Sequence, residues 1–393
     1  MKILVISQYY YPEPFRISDI CEELSRRGHE VSVITGVPNY PMGKIYKGYR
    51  FHKRRKEIIN GVRVHRCFTV GRRNGALWRF INYYSFALSS SIFAKQINEE
   101  YDIILVNQLS PIMMACPGIV YKKKHNKKLV LYCLDLWPES LVVGGITRES
   151  PIYKIFHIIS KRIYCKADKI LVTSKSFIDY FNNEFGIKDV EYLPQYSETL
   201  FTPESCKKES DGNLDLMFAG NLGAAQSIDT IIELARILND EKNIHWHIVG
   251  DGSEFENLKN ASEGLDTVVF YGRKPLEEMP KYYSMADAML ITMQDDQVLN
   301  MTLPGKVQTY MAAGKPIIGI IAGETKKVID EAKCGICASK DDINDLANEL
   351  INLQQSNLLE MSKNSRKYFD ENFEKDLIIN LLENILMTIG DIN

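Results

Sequence analysis

The 393-residue sequence predicts an α/β protein with two doubly wound domains, each built on a parallel sheet that helices cover on both faces. Apolar runs of strand length alternate with segments of helical periodicity along almost the whole chain. Some of these runs, such as residues 103–106, are apolar at every position, as expected of parallel strands buried on both faces. The length and a hydrophobic content of 45% are sufficient for two cores.

The first half of the chain begins with a predicted strand and helix and contains one hairpin signal. The strand is expected at 3–7 and the helix at 17–27, which Gly28 ends. An Asn-Gly pair at 60–61 indicates two strands joined by a tight turn within 58–68. The other strands of this half are predicted at 31–35, 103–107, 128–135, 169–174 and 190–193, and the other helices at 77–97, 111–125, 151–166 and 176–185.

The second half repeats this rhythm. Its strands are predicted at 215–220, 244–250, 268–271, 288–291 and 316–320, and its first two helices at 227–238 and 255–261.

These patterns predict two domains and a terminal helix. The first domain is expected to span 1–197 and the second 198–370, with a hinge near 194–203. The last segment, 371–393, is expected to form a helix that packs back on the first domain. Two doubly wound domains that face each other leave a central cleft at the carboxyl ends of their strands, where ligands bind.

Charge is distributed unevenly between the two halves. Residues 1–200 contain 30 Lys+Arg and 18 Asp+Glu, whereas residues 201–393 contain 18 and 32. A basic half favours an anionic partner such as phospholipid head groups or a diphosphate-linked acceptor, although chance asymmetry on solvated faces is the alternative. In 72–84, basic residues alternate with Trp, Phe and Tyr, a composition that suits a membrane interface. The neutral total and the acidic second half argue against nucleic acid.

Composition also limits where the protein acts. There is no apolar stretch long enough for a transmembrane helix, and the amino-terminal run becomes polar too early for a signal peptide. We therefore expect a cytoplasmic protein, peripheral at the inner face of the plasma membrane. The eight cysteines are expected to be reduced, and neither they nor the seven histidines show metal-site spacing, so no metal is predicted.

Four loops at successive strand ends of the second half carry the features of an anion site. Glycines at 218–226 would let the backbone approach a ligand, and a helix starting near Ser227 would direct its amides towards a phosphate. The spacing is neither a dinucleotide fingerprint nor a Walker loop, and a tight turn without ligand explains this loop equally well on its own. Similar loops follow at 250–252, 272–273 and 303–306. Lys306 can meet an anion as a point charge.

Two acidic residues follow a strand of the first half. Asp135 and Glu139 would lie at the carboxyl end of the sheet and could face the ligand. The alternative is that Asp135 caps a turn while Trp137 fills the core.

Together these segments resemble the retaining glycosyltransferases of family four, which have the GT-B fold of two Rossmann-like domains. The resemblance covers nearly the whole chain. Residues 8–16 and 24–31 look like the family's first strand, acceptor loop and helix, and the segments 219–223, 250–252 and 306–316 match its donor loops. Residues 39–41 and 135–140 resemble a bacterial branch that builds surface polysaccharides and includes N-acetylfucosamine transferases.

The resemblance implies a role for particular residues. The catalytic residues would be Asp135, Glu139 and Lys306. The acceptor would contact Phe15, Arg16, Asn39 and Tyr40. The donor would contact Gly220, Asn221, Gly223, Gln226, Gly250, Asp251, Gly252, Arg273, Met301, Thr302, Leu303, Lys306 and Thr309. Many relatives have two glutamates eight positions apart where this chain has Met301 and Thr309. The protein's contacts with the ribose of the donor would therefore differ.

The expected activity is transfer of a sugar, N-acetylfucosamine or another N-acetylated hexose, from a UDP-sugar with retention of configuration. The acceptor would be lipid-diphosphate-linked, in capsule, O-antigen or other lipopolysaccharide biosynthesis, and no metal or cofactor is expected. Two alternatives remain open at this point. One is a UDP-sugar epimerase on the same fold, and the other is a nucleotide-sugar-binding protein without catalysis.

Overall fold

The computed structural model describes residues 1–51, 53–73, 75–209 and 211–391, and these form two compact units. The first unit comprises Met1–Leu193 together with the chain from Ile379 onward, and the second comprises Pro194–Ile378. The division falls at Leu193, before the predicted boundary at 197, because the Leu193 amide still donates to the Val172 carbonyl at 2.8 Å and so continues the first sheet.

The first unit has an eight-stranded sheet in the order β3-β4-β2-β1-β5-β6-β7-β8, counted over the described residues. All neighbours are parallel except β3 and β4, which form the predicted antiparallel hairpin. The strands are β1 (Lys2–Ile6), β2 (Glu30–Thr35), β3 (Lys56–Ile59), β4 (Val62–Arg66), β5 (Ile103–Gln108), β6 (Lys128–Cys133), β7 (Lys169–Val172) and β8 (Val190–Tyr192). The helices are α1 (Ile17–Arg26), α2 (Ala76–Gln96), α3 (Cys116–His125), α4 (Ser140–Val143), α5 (Pro151–Tyr164) and α6 (Lys175–Tyr180).

Two helices of the first unit differ from prediction. The helix expected at 111–125 starts as a 3-10 turn, Ile112–Ala115, and α3 begins only at Cys116. Pro117 lies at the first positions of α3, where its missing N–H costs no helical hydrogen bond. The helix expected at 176–185 is α6 followed by a π turn, Phe181–Phe185.

The second unit has a six-stranded sheet in the order β11-β10-β9-β12-β13-β14 over the residues described, with all neighbours parallel. The strands are β9 (Leu214–Asn221), β10 (Ile244–Asp251), β11 (Val268–Gly272), β12 (Ala288–Thr292), β13 (Ile317–Ile320) and β14 (Gly335–Ala338). The helices are α7 (Asp229–Ile237), α8 (Phe255–Ala261), α9 (Met279–Tyr283), α10 (Gly305–Ala312), α11 (Gly323–Ala332), α12 (Ile343–Ile351), α13 (Gln355–Asn372) and α14 (Lys375–Ile389). Strand β14 was not predicted, because it is a short edge strand of half-buried residues.

Both faces of the second sheet are covered by apolar clusters. Leu216 and Phe218 of β9 pack in one cluster, while Met217 and Ala219 of the same strand pack in the other. This alternation places helices on both faces, as a doubly wound sheet requires.

The terminal helix α14 begins in the second unit, and its residues from Ile379 on belong to the first. Within the first unit, Glu383 pairs with Arg27 at 2.9 Å and accepts a hydrogen bond from the His29 ring at 2.6 Å. These contacts tie the helix to the end of α1. Among the described residues, none of the helices is both long and apolar enough to cross a membrane.

Strand order reverses between β1 and β5 in the first unit and between β9 and β12 in the second. Loops that leave a doubly wound sheet at such a reversal form the usual ligand site of the domain. In each unit, the predicted site residues lie mainly on these loops and on those of the adjacent strands.

Candidate functional site

The loops after β9 and β10 approach each other so closely that glycine is required. Gly250 pairs with Gly220 across the sheet, and both have positive φ values, 152° and 153°. A Cβ on Gly250 would lie 1.8 Å from the Gly220 carbonyl oxygen, and one on Gly252 would lie 2.4 Å from Leu222 backbone atoms. The sequence predicted a close backbone approach to a ligand, and the structure shows an approach of backbone to backbone.

Lys306, at the start of α10, points its amine at the loop after β9. Its Nζ donates to Gln226 Oε1 at 2.6 Å and lies 4.1 Å from the centre of the Phe218 ring. A Cβ on Gly220 would be 3.1 Å from the same amine. Within the described chain, Lys306 has no carboxylate partner, and desolvation lowers its pKa to about 7. A lysine held without a counter-ion among glycine loops is suited to receive an anion.

The helix predicted to start near Ser227 begins two residues later. Ala224–Gln226 form a 3-10 turn, Ser227 is left-handed with φ of 48°, and α7 starts at Asp229. The acidic Asp229 in the first turn opposes a phosphate there. The predicted anchoring of a phosphate by this helix end stays a prediction, and Lys306 with Gln226 is a second candidate.

The remaining predicted donor residues divide into exposed and buried sets. Asn221, Asp251 and Arg273 are exposed at the strand ends, whereas Leu303 and Thr309 are buried. The Thr309 hydroxyl donates to the Gly305 carbonyl at 3.2 Å inside α10, and the Thr302 hydroxyl donates to Leu299 at 2.7 Å. These hydroxyls are engaged in local structure. Gly223 and Met301 are half-buried on their loops.

In the first unit, Glu13 holds two loops together. Its carboxylate is buried and accepts hydrogen bonds from the amides of Asn39 at 2.8 Å and Tyr40 at 2.7 Å, and from the Tyr10 amide at 3.3 Å. Burial raises the pKa of Glu13 to about 7, against the opposing effect of these amides. Sequence reasoning did not select Glu13, although it lies in the quoted acceptor loop.

The predicted acceptor residues Phe15 and Tyr40 belong to an aromatic cluster with Tyr9. The Tyr9 and Phe15 rings are stacked at 5.0 Å, and Tyr40 contacts them at 5.7 and 5.2 Å. Asn39 is buried, and its side-chain oxygen accepts from the Arg72 amide at 2.9 Å. Arg16 is half-buried directly before α1. The structure therefore brings all four predicted acceptor residues onto neighbouring loops of one unit.

Asp135 lies where the loops after β5 and β6 meet. Its Oδ2 accepts from the Ser110 amide at 3.2 Å, and its carbonyl accepts from the Gln108 side chain at 3.0 Å. Burial raises the pKa of this carboxyl. Asp135 therefore keeps a position at a sheet's carboxyl end from which a ligand group could be oriented.

Glu139 does not share that position, and its predicted catalytic role is corrected. Its side chain is buried, accepts from Tyr153 at 2.6 Å and Tyr180 at 3.0 Å, and pairs with Arg148 at 3.0 Å. Both carboxylate oxygens are thus occupied by partners on later elements. Glu139 anchors the segment that leads into α5, which a spacing of four residues from Asp135 could not reveal.

A metal centre finds no support in the described part of the chain, where no group of three or more His, Cys, Asp or Glu side chains could hold an ion. Metal-free chemistry stays a prediction.

Residues 16–195 match the family described as Glycosyltransferase Family 4, and residues 213–356 match the one described as Glycosyl transferases group 1. The chain is a glycosyltransferase. The two matches fall on the two units, so both halves of the transferase carry the resemblance that the loops predicted.

The transferase is similar to known proteins over most of its length. It is 25% identical over 336 residues to the putative colanic acid biosynthesis glycosyl transferase WcaI of Escherichia coli. The aligned residues cover 80% of this chain and 82% of that protein. Its fold matches sucrose-phosphate synthase of Thermosynechococcus elongatus with a TM-score of 0.74, 15% identity and coverage of 99% and 98%. It also matches Anabaena HepE in complex with UDP, with a TM-score of 0.71, 14% identity and coverage of 99% and 100%. The predicted GT-B fold of two Rossmann-like domains is confirmed.

Proposed function

We propose that this transferase moves a sugar from a UDP-sugar to a lipid-diphosphate-linked saccharide, with retention of configuration. The observation that carries the donor half is Lys306, a cation without a counter-ion held against Gln226 among the glycine loops of the second unit. A diphosphate there would supply the missing negative charge. The fold match to HepE in complex with UDP supports uridine as the nucleoside.

The pathway proposal is surface polysaccharide assembly, either capsule or O-antigen and other lipopolysaccharide sugars. Its support is the similarity to WcaI, whose name places that protein in colanic acid biosynthesis. The donor sugar would be N-acetylfucosamine or another N-acetylated hexose. Fixed cations and donors would stabilise the leaving diphosphate, so the proposed reaction needs no metal.

Peripheral contact with a membrane is part of the proposal, and two helices of the first unit support it. On α2, Leu77, Phe80, Leu88 and Ile92 are exposed, with relative accessibilities from 49% to 68%. On α5, Ile152, Ile155 and Ile158 are more than half exposed, and Lys161 and Arg162 lie in its last turn. Both helices pack on the turn at Ile112–Ala115. Apolar rows with basic neighbours fit an anionic bilayer surface.

We expect UDP to raise the thermal unfolding midpoint by several degrees, and GDP, ADP and dTDP to raise it less. A ligand at about 100 times its Kd adds roughly 2.7 kcal/mol to stability. The measurement is a thermal-shift series with the four nucleotides at equal concentration. If another nucleotide shifts the midpoint most, the donor assignment changes. If none does, the donor site proposed at Lys306 is wrong.

We expect replacement of Leu88 and Ile92 by Gln to reduce vesicle binding by about five- to tenfold, since two apolar side chains would no longer enter the interface. The measurement is co-sedimentation with phosphatidylcholine vesicles with and without phosphatidylglycerol. The matched control replaces Ile237 and Leu359, exposed apolar residues on helices of the second unit, by Gln. Equal binding of the two double variants would contradict membrane contact through α2.

A further inference from the structure

An arginine-lined cavity of about 350 Å³ lies on the first unit, bordered by Tyr40, Pro41, Arg72, Arg73, Gly75 and Arg79. Ligand pockets in proteins start at roughly 300 Å³, so the space is sufficient for a small charged group. The basic and aromatic composition of 72–84 predicted a membrane interface and did not predict a cavity. Asn74 of that segment lies outside the described residues.

The charges of the cavity are not neutralised by the protein. In the ranges that the structure describes, none of the three arginine side chains forms an ion pair. Two of them lie against aromatic faces instead, Arg73 at 4.6 Å from the Trp78 ring and Arg72 at 5.8 Å from the Tyr83 ring. Arg72 also forms a side-chain hydrogen bond with Tyr9. A guanidinium has five N–H donors, so contact with one ring or one hydroxyl still leaves donors oriented for an anion.

The end of helix α2 adds to this positive potential. Gly75 caps the helix with no side-chain hydrogen bond, and the first turn contains no acidic residue. The helix has 21 residues, so its amino-terminal dipole is fully developed. The open backbone amides of this first turn and the guanidinium groups therefore act on the same space.

Hydrogen bonds and a close backbone contact hold the segment that carries Arg72. The Arg72 amide donates to the buried Asn39 side chain at 2.9 Å, and buried Asn82 of α2 donates to the Val70 carbonyl at 2.5 Å. A Cβ on Gly43 would lie only 2.3 Å from the Arg72 carbonyl oxygen, so these two loops are in direct backbone contact. The Arg72 backbone therefore loses little entropy when an anion binds.

The cavity borders both an aromatic cluster and helix α2. Tyr40 lines the cavity and also belongs to the aromatic cluster with Tyr9 and Phe15, a surface suited to a sugar ring. Arg79 lines the cavity from α2, and the same helix exposes the apolar side chains of Leu77 and Phe80. Contacts for a sugar and for a lipid are therefore both available on the elements that form the cavity.

We propose that the arginine cavity binds the diphosphate of the lipid-linked acceptor, with the sugar on the aromatic cluster and the lipid along α2. This rests on the proposed transfer to such an acceptor. A diphosphate diester keeps a negative charge on each phosphorus, which the three guanidinium groups can match. A phosphodiester head group offers only one such charge and leaves arginine donors unused.

The test measures binding of farnesyl diphosphate that carries one N-acetylglucosamine, with UDP at saturation so that the nucleotide site is filled. Replacement of both Arg73 and Arg79 by Gln is expected to weaken this binding by about 10- to 100-fold. The matching monophosphate, a phosphodiester with the same sugar and chain, is expected to bind more weakly to the wild type and to lose less affinity in the variant.

The control replaces Arg50 and Lys123 by Gln, which removes the same number of exposed charges from the first unit outside the cavity. This variant should bind the diphosphate like the wild type. The Kd for UDP and the unfolding midpoint of each variant establish that it is folded.

The outcomes separate this proposal from the proposed function. Unchanged diphosphate binding in the folded cavity variant, or an equal loss for the monophosphate, would overturn the cavity assignment even if sugar transfer is observed. Arginine-dependent diphosphate binding without transfer of any sugar would support the cavity and refute the proposed reaction.

Discussion

Replacement of Lys306 by Ala is expected to reduce kcat/KM for the donor by about 10- to 100-fold, a loss of roughly 1.4–2.7 kcal/mol of transition-state stabilisation. The leaving diphosphate gains charge as the sugar departs, and Lys306 is placed by Gln226 and Phe218 to balance it. Steady-state kinetics with a UDP-sugar and a lipid-diphosphate acceptor provide the measurement. A variant as active as the wild type would remove Lys306 from the mechanism.

The matched control is Lys326→Ala, which removes an exposed lysine that pairs with Asp330 on α11. Its kcat/KM should remain that of the wild type. Conversion of Lys306 to Arg is expected to recover part of the activity, because the charge returns on a bulkier group.

The pH profile provides an independent test of Lys306. Because desolvation lowers its pKa to about 7, the amine is charged below that pH and loses its proton above it. In the wild type, kcat/KM should therefore fall as pH rises above about 7, and this limb should be absent from Lys306→Ala. The corresponding decrease in kcat should occur at higher pH, because a bound diphosphate favours the protonated form of the Lys306 amine. A wild-type profile that stays flat between neutral pH and about 9 would contradict this assignment.

Replacement of Gly250 by Ala is expected to lower the free energy of unfolding by about 3 kcal/mol or more and to abolish UDP binding. The added Cβ would meet the Gly220 carbonyl oxygen at 1.8 Å, and φ is 152°, so backbone must move. Separation of the ends of β9 and β10 would displace both donor loops. Urea unfolding and UDP titration measure the two effects.

Gly305→Ala is the matched control within the same unit. A Cβ there would have no atom within 4 Å, and the residue starts helix α10, so stability should be unchanged or increased by up to about 1 kcal/mol. If Gly250→Ala unfolds at the same urea concentration as the wild type, the close contact of the two loops is not a constraint.

Local pattern was sufficient for most elements of the fold. Helix α8 lies at the predicted 255–261, and the Asn-Gly pair forms the turn between β3 and β4. Such features depend on residues a few positions apart, whose spacing decides which side chains share a face. The same holds for the positions of the glycine loops at the ends of strands, and their role as ligand loops stays a prediction.

The chemistry around those loops depended on contacts between distant residues. Gln226 and Lys306 are 80 positions apart, and the pair exists because α10 packs at the end of β9. Glu139 appeared to face a ligand in sequence, yet Arg148, Tyr153 and Tyr180 turn it into an internal anchor. The helix expected to begin near Ser227 starts instead at Asp229, after a left-handed residue.

The sequence by itself determined two parallel α/β domains, the loops that carry the candidate site and the class of reaction that those loops resemble. Only the tertiary structure decided which charges are neutralised. It paired Glu139 with Arg148 and brought Arg72, Arg73 and Arg79 around one cavity. In the residues described, it left Lys306 and these three arginines without counter-ions. The physical reason is that periodicity reports on neighbours along one element. The pairing of charges depends on how separate elements pack, and desolvation acts only after they have done so.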